Sequence, residues 1–149
     1  MLVLPLCSIL AELYVSNSGS ELWRLAGRWF VFWGVGVRLA SAGIRQIVNP
    51  NYTAQTILGL KTSESSIVVR ELGFANLAIG TAGVCSLFAK SWLTPCALAG
   101  CVFYGLAGIN HLLAGERNRL QNVAMVSDLF LAGILAWYCI AAFTHRAAA

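Results

Sequence analysis

Residues 29–45, WFVFWGVGVRLASAGIR, constrain most strongly what this chain can fold into. The stretch is apolar enough to lie in a bilayer, yet it holds Arg38 deep inside and Arg45 seven residues later. Seven residues is about two helical turns, so both arginines lie on one helix face. An arginine near the middle of a membrane helix costs at least about 2.5–3.5 kcal/mol and persists only where other groups meet its charge. The rest of the chain must therefore bring acceptors to this helix.

The surrounding sequence fits such a setting. Of 149 residues, 58% are hydrophobic and 11% charged, with a mean hydropathy of +0.73. A soluble domain carries about 25% charged residues. Apolar segments at about 22–48, 67–89, 92–114 and 120–143 are each long enough to cross a hydrocarbon core of about 30 Å. Their periodicity is helical, without the strand-length alternation of a membrane barrel. The expected fold is all-α. It is a single transmembrane bundle over 1–149, with four long helices and a short N-terminal apolar helix at about 1–15.

That first helix holds Pro5 and Glu12 and lacks a basic leader and a small-residue cleavage site, so it reads as a short span or an interfacial helix. Ser20 or Glu21 can cap the helix that follows. Asn49-Pro50 stops that helix, and TAQTILGL beyond it can form a short interfacial turn. Small residues at four-residue spacing, Ala97/Cys101/Gly105 and Gly100/Tyr104/Gly108, predict close packing of the third long helix. The net charge of +4 is scattered at helix ends, which argues against nucleic acid as a partner. Five cysteines without a CxxC pair, and two histidines without paired carboxylates, predict neither a metal nor a cofactor.

Depth organises the polar residues. Antiparallel neighbours put the 49–66 loop and the 116–119 hairpin at one end, the loop end. Counted from there at about 1.5 Å per residue, Arg38, Asn76, Tyr104 and Asp128 form a deep layer. Arg45, Glu71, His111 and Asn122 form a shallower one. Trp23, Trp29, Trp33, Trp92, Trp137 and Tyr138 fall in the opposite half, as an aromatic belt does. The candidate site is thus a polar cluster of Arg38, Arg45, Glu71, Asn76, Tyr104, His111 and Asp128. It either lines a pocket or holds the helices together. The sharpest expectation is an Arg38–Asp128 pair, with Asn76 or Tyr104 completing the hydrogen bonds of the guanidinium. Lys and Arg number five at the loop end (Arg45, Lys61, Arg70, Arg117, Arg119) and four at the other (Arg24, Arg28, Lys90, Arg146). That count favours a cytoplasmic loop end.

Three stretches carry a family resemblance: VFWGVGVRLASAGIRQIVNPNYTAQTILG, VRELGFANLAIGTAG, and FYGLAGINHL with NVAMVSDLF. Together they resemble an uncharacterised family of small bacterial membrane proteins whose architecture is similar to the DoxX-like four-helix proteins. The resemblance implies a multi-pass protein of the bacterial inner membrane and assigns no catalytic residue. HLLAGERNRLQN also resembles the arginine- and asparagine-rich loop of membrane-associated eicosanoid and glutathione transferases. There Arg117, Asn118 and Asn122 would contact glutathione carboxylates. Three function classes follow. The first is a non-enzymatic protein that binds a small molecule or membrane lipid, or supports a membrane complex, as a monomer or homo-oligomer. The others are a glutathione-type transferase and a proton-coupled carrier using the buried Arg and Asp.

Overall fold

The computed structural model describes residues 2–16, 22–57, 59, 64–115 and 119–147. Among them every regular element is helical: α1 (Val3–Ser16), α2 (Leu22–Phe30), α3 (Arg38–Val48), α4 (Ser65–Cys85), α5 (Leu93–Leu113) and α6 (Arg119–Ala147). A π-helical segment, Val31–Val37, joins α2 to α3 without a break. The long helix expected over 22–48 therefore forms, but with a widened middle. Ser20 and Glu21, the expected caps, lie outside the described residues, as does Lys61.

Among the described residues, three helical stretches are long and apolar enough to cross a membrane: Ser65–Cys85, Lys90–Leu113 and Arg119–His145. Their outer faces are apolar and exposed. Ile67, Val68, Leu72 and Phe74 line α4, while Leu98, Val102, Leu106 and Ile109 line α5. Continuous apolar surface of this kind is not left open to water. The helix over 22–48 is long enough as well, but it carries Arg24, Arg28, Arg38 and Arg45 and packs inside the bundle.

Burial follows the helical period. Phe30, Val31, Val35 and Leu39 pack against Ala97 and Tyr104 of α5 and Leu131, Leu135 and Tyr138 of α6. Helix α1 runs antiparallel to α2: Glu12 reaches Arg28 and Trp29, and Ser8 reaches Trp33. Its 14 residues make about 21 Å of helix, less than a full hydrocarbon core. Helix α4 ends at Cys85, earlier than expected. Ser86 turns its hydroxyl back to the Gly83 carbonyl at 2.7 Å, and Ala89 leaves the helical region at φ −104°, ψ 88°. A single 3₁₀ turn, Lys90–Trp92, then leads into α5. Beyond α3, the expected turn appears as a π-turn over Tyr52–Ile57, with Asn49 Oδ1 accepting from the Tyr52 N–H at 3.2 Å.

Among the described glycines, backbone meets backbone where the helix over 22–48 packs on α4. Helix α4 buries Ser65, Val69, Gly73, Asn76, Gly80 and Gly83 on one stripe at three- and four-residue spacing. A Cβ added at Gly80 would lie 2.3 Å from the Ala40 nitrogen, and one at Gly83 2.7 Å from the Gly36 nitrogen. Backbone thus meets backbone, and no larger residue fits. On α5, Gly100 is closed by Val35 Cγ2 at 2.4 Å and Gly108 by Leu129 at 2.7 Å, but the nearest atom to a Cβ at Gly105 is Ala132 Cβ at 3.9 Å. Gly105 is not a close-packing position, because α6 presents the small Ala132 opposite it.

Two substitutions separate these cases. Gly80→Ala should lower the melting temperature in detergent, with an overpacking cost of about 1–3 kcal/mol or more, since the obstructing atom is backbone. Gly105→Ala should stay within about 0.5 kcal/mol of the wild type. Equal melting of the two variants would show that the α3–α4 seam is not close-packed.

Candidate functional site

The deep polar layer is built on the start of α3. In the π segment the Arg38 N–H donates to the carbonyls of Trp33 and Val35, not to Gly34 as an α-helix would require. The Gly34 carbonyl instead accepts the Tyr104 hydroxyl at 2.5 Å. That bond brings the α5 tyrosine across the core. The Tyr104 ring then lies under the Arg38 guanidinium, 4.7 Å from centroid to Cζ, where the π-face attracts the cation.

Asp128 and Ser127 of α6 complete the arrangement. Arg38 Nη2 donates to Asp128 Oδ1 at 2.5 Å and to Ser127 Oγ at 3.1 Å. Asp128 is 5% exposed, so its charge is met inside the bundle. Arg38 Nη1 is also buried and has no acceptor among the described residues. The two N–H groups of that nitrogen are thus the part of the guanidinium that the described side chains do not satisfy.

The seven residues expected to cluster divide. Arg38, Tyr104 and Asp128 meet, and His111 of α5 is half-buried within electrostatic reach of Asp128. Arg45 and Glu71 are exposed and take no part. Asn76 is buried but donates to Gln46 Oε1 at 2.8 Å, away from Arg38. The reason is register. Ala40 lies against Gly80 and Gly36 against Gly83, so Arg38 is level with residues 80–83 of α4. Asn76 sits between one and two turns nearer the loop end. Depth counted from helix ends assumed level ends, and α4 reaches beyond α3 there.

Sequence reasoning missed three partners. Ser127 is flagged only by standing beside Asp128, and Gln46 only by standing beside Arg45. The Gly34 carbonyl has no sequence signal, because it is freed by the π segment. Of the residues expected to touch glutathione, Arg117 and Asn118 lie outside the described residues, while Asn122 lines an apolar groove on α6. The five cysteines are free thiols, and no group of three potential metal ligands gathers among the described residues.

The energetic weight of the layer is open to a double-mutant cycle. Removing either charge leaves the other buried and unpaired, at a cost of about 3–5 kcal/mol. Asp128→Asn should cost less than Asp128→Ala, because the amide still accepts a hydrogen bond. Arg38→Met combined with Asp128→Leu should recover much of either single loss. Melting of the four proteins in detergent reads the coupling; strictly additive losses would mean that the pair is not coupled.

Against known proteins, no curated protein and no solved structure matches this chain. One family model does match, across residues 1–148, and its description is a family of unknown function, DUF6790. With all but the last residue covered, the chain belongs to that family.

Proposed function

We propose that this protein is a non-enzymatic, four-span membrane protein that holds a membrane lipid by its acyl chain beside the Arg38 layer. The helix over 22–48 is the fourth span: its 27 residues make about 40 Å of helix, and its buried arginine is matched from α6. On the resemblance to small bacterial proteins, we assign it to the bacterial inner membrane.

One observation carries the lipid reading. A groove of about 730 Å³ opens between the start of α1 and α6. Val123, Val126, Phe130 and Leu131 form its wall, with Leu2 and Val3 across from them. Arg119 and Asn122 stand at its loop end, where α6 begins. Such a shape takes an apolar chain along α6 with a polar or anionic head at Arg119. Ser127 lines the groove and also binds Arg38, so the occupant lies one hydroxyl away from the buried ion pair.

Native mass spectrometry of the protein in mild detergent tests this. The wild type should retain a lipid, and Val126→Trp, which fills the groove, should reduce retention by about tenfold or more. Delipidated wild-type protein, or full retention by the variant, would overturn the reading. Topology is checked separately in a cysteine-free background. Single cysteines at Gln55 and Gly115 should label from one side of the membrane and one at Lys90 from the other. Labelling of Gln55 and Gly115 from opposite sides would remove the four-span arrangement.

A further inference from the structure

At the other end of the bundle the start of α2, the α4–α5 turn and the end of α6 enclose a second cavity, of about 460 Å³. Arg24 and Arg28 of α2 line it, as does Lys90 of the turn. One carboxylate, Glu12 of α1, shares the cavity with these three cations. Both of its oxygens are engaged: Oε1 accepts from Arg28 Nη1 and Oε2 from Trp29 Nε1, each at 2.7 Å. Among the described residues that line the cavity, basic side chains therefore outnumber carboxylates.

Neutral donors point the same way. Trp23 lines the cavity, and its Nε1 is buried with no acceptor among the described residues. A buried donor without an acceptor is costly, and native proteins rarely leave one. The indole cannot readily turn away. His145 stacks on it at 5.1 Å with an interplanar angle of 1°, and Tyr138 lies against it at 5.7 Å. Thr94 and Tyr138 pair their hydroxyls at 3.2 Å in the same lining, one of the two donating to the other. A half-enclosed space lined by more basic side chains than carboxylates, with a buried indole N–H, suits an anion with several acceptor oxygens.

The geometry points to a phosphate-binding site here, shaped for the headgroup phosphate of an anionic phospholipid. The depth fits, because Trp23, Trp29, Trp92 and Tyr138 mark this end as the headgroup boundary. Arginine and lysine at that level meet a phosphodiester with charge-assisted hydrogen bonds, and the Trp23 N–H adds a neutral one. This site is separate from the acyl groove, which lies on α6 towards the loop end.

The test uses the full-length protein in a neutral sugar detergent, titrated with phosphatidylglycerol or with phosphatidylcholine of the same acyl chains. Bound lipid is counted by native mass spectrometry. Phosphatidylglycerol should bind about tenfold or more tightly than phosphatidylcholine, whose ammonium cancels the headgroup charge. Arg24→Gln with Lys90→Gln should abolish that preference. Trp23→Phe keeps a ring against His145 and removes only the N–H, and should weaken phosphatidylglycerol by about three- to tenfold. Circular dichroism shows whether each variant is folded; if the double variant is not, the Trp23→Phe result decides. Displacement of phosphatidylglycerol by millimolar inorganic phosphate would support the same site with free phosphate as its source. No displacement, with the preference intact in the wild type, supports the lipid. Equal binding of the two lipids by wild type, or a preference that survives in the folded variants, overturns the proposal.

Discussion

An arginine cannot stay charged in the middle of an apolar bundle unless its neighbours are arranged to receive it. Arg38 is that residue here, and the surrounding helices are arranged about it. Asp128 must lie level with it, which fixes the register of α6 against α3. Tyr104 must lie beneath it, which sets α5. The π segment frees the Gly34 carbonyl that anchors Tyr104, so backbone distortion and side-chain chemistry are parts of one device. Widened turns of this kind occur often at functional sites.

The remaining packing serves that layer from the opposite face. Ala40, Gly36 and Gly43 of the central helix receive the glycine stripe of α4 so closely that backbones touch. The central helix is thereby held between a polar partner on one side and a close apolar partner on the other. Apolar helices gain nothing from hydrophobic burial between themselves in lipid, and contact quality takes over that role. Two cavities flank this clamp. One lies along α6, beside Ser127; the other lies under the aromatic end, among Trp23 and the basic residues.

Much of this was legible in the residues themselves. The apolar composition, the helix over 22–48 and the stop at Asn49-Pro50 follow from hydropathy and backbone chemistry. Arg38 and Asp128 were readable as partners because each is the lone deep charge of its sign and each can be counted from the same end. Asn76 was misplaced by the same counting, because the count cannot see that α4 overruns α3. The stripe on α5 drew attention by its spacing. Spacing says which residues share a face, but not what stands opposite: of its three glycines Gly100 and Gly108 are tightly closed and Gly105 is not.

What the sequence determined by itself was the solvent and the demand: lipid around the helices, and a buried cation that needed an answer. Both are properties of residues one at a time or of one helix face. The tertiary structure decided how the demand was met. It chose Ser127 and the Tyr104 ring over Asn76, left one guanidinium nitrogen open, and gathered Trp23, Arg24, Arg28 and Lys90 around a single space. Those outcomes depend on register and on backbone widening between helices distant in sequence. No local pattern encodes them, because the energy of each contact exists only once two separate elements have met.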